Sequence, residues 1–163
     1  MTVIMPNEAY RANTKEGTEL IIREARSDED YYKAYPVLLQ LIPDLDMQTY
    51  SQRVFVARAT GYRMFMAEME GDVVGVIGMI HNHNLHDGFV TYIEQVVVDK
   101  DCRGKGVGSH LLEFAENRAK EEGCDEIELD VDQKDGKQAE DFYMQNGYKL
   151  SGKYLYKDLR TEA

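Results

Sequence analysis

Cysteine is scarce in this chain: Cys102 and Cys124 are the two it has. Two thiols are too few for a disulfide framework, which argues against a small stapled secreted scaffold and for a reducing cytoplasm. A catalytic thiol is conceivable, but two scattered cysteines without a special role are the plainer reading. Long apolar runs are also missing. Nothing approaches the ~20 residues of a membrane span, and the first residues lack a basic-then-apolar signal pattern. Basic side chains are in deficit, with 19 Lys and Arg against 30 Asp and Glu and a formal net charge of −11. Backbone-directed binding of DNA or RNA demands a basic face, so nucleic acid is not an expected partner. An acidic surface suits cationic acceptors such as amines, which it can steer, and it equally serves solubility alone.

What is present suffices for a core. The 163 residues, 43% of them hydrophobic and 30% charged, describe a soluble globular protein. Residues 1–18 show little periodicity and are expected as a loose N-terminal arm or a short added element, ahead of one domain over residues 19–163. Residues 20–25 read as a first strand. Ser27 caps a helix with Asp28, Glu29 and Asp30 in its first turn. Tyr31, Tyr35, Leu38, Leu39 and Ile42 form its stripe, and Pro36 predicts a kink or a restart. Asp46 caps a second helix ending at Gly61. Residues 62–69 and 73–80 read as a hairpin around Glu70, Gly71 and Asp72. A His/Asn-rich loop over residues 81–88 leads to a buried strand over residues 92–98. A later helix over residues 137–146 and one or two strands over residues 148–159 complete a mixed α/β chain.

The centre of this pattern is strand, glycine loop, helix, strand over residues 91–131. Val107, Leu111, Phe114, Ala115 and Ala119 recur at helical spacing after Gly106, Gly123 stops the helix, and Ile127, Leu129 and Val131 alternate with acids. The first N–H groups of a helix lack internal partners and carry the positive end of its dipole, so they favour an anion. Arg103 and Lys105 add charge beside them. A Walker loop fails because Gly106, rather than Ser or Thr, follows Lys105. A dinucleotide fingerprint fails because Gly104, Gly106 and Gly108 give G-x-G-x-G. Both failures argue against a nucleotide-binding domain. The pattern Arg/Gln-x-x-Gly-x-Gly/Ala is matched at every fixed position by Arg103-Gly104-Lys105-Gly106-Val107-Gly108.

That hexapeptide, after Glu94-Gln95-Val96-Val97-Val98-Asp99, resembles the coenzyme A loop of the GNAT acetyltransferase superfamily, and residues 139–148 (AEDFYMQNGY) resemble its later A-x-x-F-Y-x-x-x-G-F/Y signature. The likeness covers about residues 21–159. It implies a mixed, mostly antiparallel sheet of six to seven strands, splayed at the coenzyme site and flanked by about four helices. It further implies acetyl-CoA as co-substrate, no metal, and transfer of acetyl to a small-molecule or protein amine. On this resemblance the cofactor lies against Val96, Val97 and Val98, against Arg103, Gly104, Lys105, Gly106, Val107, Gly108 and Ser109, and against Phe142. A dimer through the last strands is plausible on the same ground.

Acetyl transfer requires the amine to lose a proton and the leaving thiolate to gain one. Alkyl amines titrate near 10, so at neutral pH they need a base. Glu94 is the candidate, provided burial raises its pKa; otherwise it faces solvent or pairs with a neighbour. Tyr143 is the candidate acid, a phenol protonated at pH 7, with packing on an amphipathic helix as its alternative. Gly136 departs from the family, which often has Asn there; Gln133, Lys134 or Lys137 could substitute. His81, His83 and His86 could bind zinc, yet lack a nearby cysteine, and a solvated turn is the better reading. His110 is expected to pack or face solvent. Tyr31, Tyr32, Tyr35 and Tyr50 could line an acceptor pocket or belong to the core. A non-catalytic coenzyme A-binding module is the alternative function.

Overall fold

The structure, a computed structural model, describes residues 9–160. The chain divides into two compact units, Met1–Leu129 and Asp130–Ala163. The first contains β1 (Tyr10–Asn13), β2 (Glu19–Glu24), α1 (Asp28–Leu41), α2 (Met47–Ala59), β3 (Arg63–Met69), β4 (Asp72–Asn84), β5 (Gly88–Val98), α3 (Val107–Glu121) and β6 (Glu126–Leu129). The second contains α4 (Gly136–Gln145). Six strands lie in one sheet in sequence order, antiparallel throughout except for the parallel pair β5–β6. This is the mixed, mostly antiparallel sheet that the family resemblance implies. Among the described residues no helix is long and apolar enough to cross a membrane.

Local chemistry accounts for the elements. The Ser27 hydroxyl accepts from the Asp30 N–H while Asp30 accepts from the Ser27 N–H, a capping box at the start of α1. Hydrogen bonding from Arg23, reinforced by the Arg26 and Ser27 N–H groups, holds the Asp30 carboxyl far below its ordinary range. Asp46 caps α2 through the Thr49 N–H, 2.9 Å away. Glu70 and Gly71 both take positive φ, 51° and 85°, as a two-residue turn between β3 and β4 requires. β3 and β4 read as nearly continuous apolar runs because helices cover both sheet faces. Met64, Met66 and Val76 join a cluster with Tyr31, Ala34, Leu38 and Tyr50 of α1 and α2. On the other side, the rings of Phe65 and Phe114 of α3 lie 4.8 Å apart.

Of the two readings of residues 1–18, a loose arm or a short added element, residues 10–13 take the second and form β1 against residues 19–22, while residues 1–8 fall outside the described residues. Three other expectations change. Pro36 lies inside one uninterrupted helix, with no restart: α1 forgoes the single N–H that proline lacks, and its apolar face keeps it packed. The loop expected over residues 81–88 is mostly strand. β4 runs on to Asn84, β5 starts at Gly88, and His81 and His83 pair with Thr91 and Phe89. A turn of three residues remains, Leu85, His86 and Asp87, closed by Asn84 Oδ1, which accepts from the His86 and Asp87 N–H groups. In the second unit residues 148–159, expected to supply one or two strands, form none.

Candidate active site

The register of β5 breaks at its middle. Gly78 faces Gln95 and Met79 faces Ile93, which leaves Glu94 as the extra residue of a β-bulge. On the opposite edge β6 pairs only with residues 90–93. No described strand covers residues 94–98 on that side. The Asp99 N–H bonds the Val74 carbonyl at 2.8 Å, on the β4 side. N–H groups alternate direction along a strand, so those of Val96 and Val98 face the open edge. Val97 is buried in the core cluster with α1. Its side chain is structural, between two valines whose N–H groups face the open edge.

The glycine loop follows directly. Gly106, at φ 92°, is the N-cap of α3, and no side chain caps the helix there. The first N–H with an intrahelical partner is that of His110, which bonds the Gly106 carbonyl at 3.1 Å. The N–H groups of Val107, Gly108 and Ser109 therefore point out of the helix end, the arrangement that receives an anion. Gly104, also at positive φ (79°), has open space where a Cβ would stand. Arg103 Nε donates to the Val98 carbonyl at 3.3 Å and ties the loop to the end of β5. The Lys15 N–H donates to the Lys105 carbonyl at 2.9 Å, and Lys105 Nζ lies 3.4 Å from Glu16. The turn between β1 and β2 thus braces the glycine loop, a contribution that 90 residues of separation hid from the sequence. His110 joins this brace, with Nε2 3.0 Å from the Asn13 carbonyl.

At the bulge, the Tyr62 hydroxyl donates to Gln95 Oε1 at 2.7 Å. Tyr62 is 7% exposed, and burial, aided by the Glu94 carboxylate, raises its phenol well above the ordinary value. A Cβ on Gly78 would come within 2.3 Å of both partner oxygens, so glycine there makes room for the pair. Glu94 itself is exposed, so it lacks the burial asked of it as a base. Tyr50 donates to the Tyr31 carbonyl and Tyr35 to that of Leu45, at 2.8 and 2.6 Å. The first hydroxyl ties α2 to α1 and the second ties α1 to the connection ahead of α2, while Tyr32 is exposed.

In the second unit Tyr143 lies on α4 with its ring edge-on to Phe142 at 5.2 Å and to Tyr148 at 5.9 Å. Burial, with the Asp135 carboxylate, raises its phenol, so it holds its proton at neutral pH. Gly136, where the family often has Asn, opens α4 at φ 70°.

The histidines do not converge. His83 stacks on Phe89 with 4.3 Å between ring centroids, and His86 is 95% exposed on its side chain. His81 enters a polar network with Arg63, Thr91, Glu122 and Cys124, which corrects its reading as part of a solvated turn. Burial alone would raise the Glu122 carboxyl; hydrogen bonds from Arg63 and His81 outweigh it and hold the group below its ordinary value.

Residues 22–148 match the family described as Acetyltransferase (GNAT) family. An aminoalkylphosphonate N-acetyltransferase of Salmonella typhimurium is 33% identical over 129 residues, 76% of this chain and 81% of its own. A Bacillus subtilis protein named uncharacterized N-acetyltransferase YhdJ is 27% identical over 109 residues, 66% of this chain and 77% of its own. The crystal structure of a transcriptional regulator from Bacillus halodurans C-125 superposes with a TM-score of 0.74 at 26% identity, over 86% of this chain and 99% of that one. The chain belongs to the GNAT acetyltransferase family and is an acetyl-CoA-dependent acyltransferase.

Proposed function

We propose that the protein transfers the acetyl group of acetyl-CoA to a primary amine of a small molecule or protein, by direct attack in a ternary complex. The observation that carries this reading is the open edge of β5 at Val96 and Val98, running into the uncapped start of α3. Acetyl-CoA supplies an activated thioester. The Val96 and Val98 backbone pairs with its pantetheine arm as an added strand would, and the N–H groups from Arg103 to Ser109 receive its pyrophosphate. Phe142 adds an apolar contact. The Val96 N–H also polarises the reacting carbonyl.

Because Glu94 is exposed, it acts together with solvent rather than as a buried base: its carboxylate receives the amine proton through water and passes it to bulk. Tyr143 donates to the leaving thiolate; burial keeps its proton in place. No step needs a metal. The cytoplasm is the expected compartment, and the family resemblance makes a homodimer plausible.

The Salmonella relative is named for acetylating aminoalkylphosphonates. Small aminoalkylphosphonates therefore head the acceptor panel, ahead of amino sugars, polyamines and peptide amines. Thiol release from acetyl-CoA is expected with at least one of them, with intersecting initial-velocity lines. Parallel lines would sink direct attack. Tyr143→Phe is expected to lower kcat about 100-fold while calorimetry shows coenzyme affinity unchanged. Equal turnover removes Tyr143 from the mechanism. Coenzyme binding without transfer to any amine would favour a binding module instead.

A further inference from the structure

The Thr91 end of β5 holds a second cluster that acetyl transfer does not use. Cys124, between α3 and β6, places Sγ 3.1 Å from Thr91 Oγ1 and 3.8 Å from His81 Nδ1. Thr91 Oγ1 stands 3.0 Å from the same ring nitrogen, and Thr91 is fully buried, so its hydroxyl has no competing water. His81 Nε2 contacts the Glu122 carboxylate. Glu122 in turn accepts two hydrogen bonds from the Arg63 guanidinium, at 2.7 and 2.6 Å. A carboxylate against Nε2 keeps the ring proton on that nitrogen, which leaves Nδ1 as an acceptor facing hydroxyl and thiol. Arg63 Nη2 also lies 3.0 Å from Nε2, and the carboxylate accepts from it too, so guanidinium and ring share Glu122. Thiol, hydroxyl, imidazole and carboxylate form one continuous path for a proton leaving sulfur.

We infer that Cys124 is a site of oxidation by small hydroperoxides, with His81 as the base that receives its proton. The thiol proton moves to His81 Nδ1, directly or through Thr91. A sulfur lone pair then attacks the terminal peroxide oxygen. The S–O bond forms as the O–O bond breaks, and the leaving alkoxide takes the proton from His81 and departs as an alcohol. Sulfur loses two electrons to become a sulfenic acid, and the peroxide gains them. Cys124 is partly exposed. Cys102 is the internal contrast. It is also partly exposed, but burial and the neighbouring Asp99 push its thiol above the ordinary value, away from thiolate. Thr91 and Val98 stand seven residues apart on β5, about 23 Å of strand, and Cys102 lies beyond Val98, so the two thiols cannot bridge. The sulfenic acid is retained, or captured by an external thiol.

The test treats the full-length chain with cumene hydroperoxide and dimedone and maps adducts by peptide mass spectrometry. Cys124 is expected to label about 10-fold faster than Cys102. His81→Asn lowers the rate at Cys124 about 10-fold and leaves Cys102 where it was. Thr91→Val acts in the same direction, and decides the matter if circular dichroism shows that His81→Asn does not fold. Equal rates at the two cysteines of the native chain, or a Cys124 rate indifferent to the substitutions, overturn the inference.

Discussion

The two ends of β5 solve different problems. At the Val98 end the working groups are backbone: an unpaired strand edge, glycines at positive φ, and a helix start that no side chain caps. At the Thr91 end side chains dominate, and Arg63, His81, Thr91, Glu122 and Cys124 satisfy one another. The first end directs main-chain N–H groups away from the described strands and helices. The second is filled, and its chemistry is confined to moving a proton. One strand can carry both because the bulge at Glu94 separates a paired half from an open half.

Gly106→Val is expected to break the contrast most. A branched residue at φ 92° distorts the loop, and coenzyme affinity by calorimetry falls about 10- to 100-fold through lost N–H contacts to charged oxygens. Peroxide labelling of Cys124 stays unchanged; a parallel fall would mean that the ends are one unit. Glu122→Gln probes the other end. It leaves the Arg63 charge half-buried and costs about 2 kcal/mol at neutral pH by denaturant titration, without weakening coenzyme binding. The Glu122 carboxyl is depressed on folding, so its contribution is full above the ordinary glutamate value of about 4.3 and is lost as pH falls through the lower folded value. The gap between native chain and variant should therefore narrow in acid, and a constant gap would refute the ionic account. Tyr62→Phe, between the two ends, removes the partner of Gln95 and should cost about 1 kcal/mol. A change in KM for the amine with little change in coenzyme affinity would attach Tyr62 and Gln95 to the acceptor side.

Legibility followed sequence distance. The glycine loop could be read because its geometry is local, with Arg103, Gly104 and Gly106 acting within a few residues. The caps at Ser27 and Asp46 were legible for the same reason. Tyr62 and Gln95 meet across 33 residues, and His81 and Cys124 across 43, where no periodicity links them. The alternating His and Asn of residues 81–84 looked like a loop because polarity was taken for solvation; pairing with residues 88–91 makes them strand. The reverse error falls on residues 148–159, where one or two strands are expected and none forms. Pro36 misled because local propensity lost to the packing of α1.

The bond from the Lys15 amide to the Lys105 carbonyl is made by main chain alone. Positions 15 and 105 can therefore accept almost any side chain other than proline at 15 without releasing the grip. A ribbon at the margin of the sheet can thus restrain a distant bend while leaving its chemistry free to drift, and related chains could retune that bend's charge without rebuilding what steadies it.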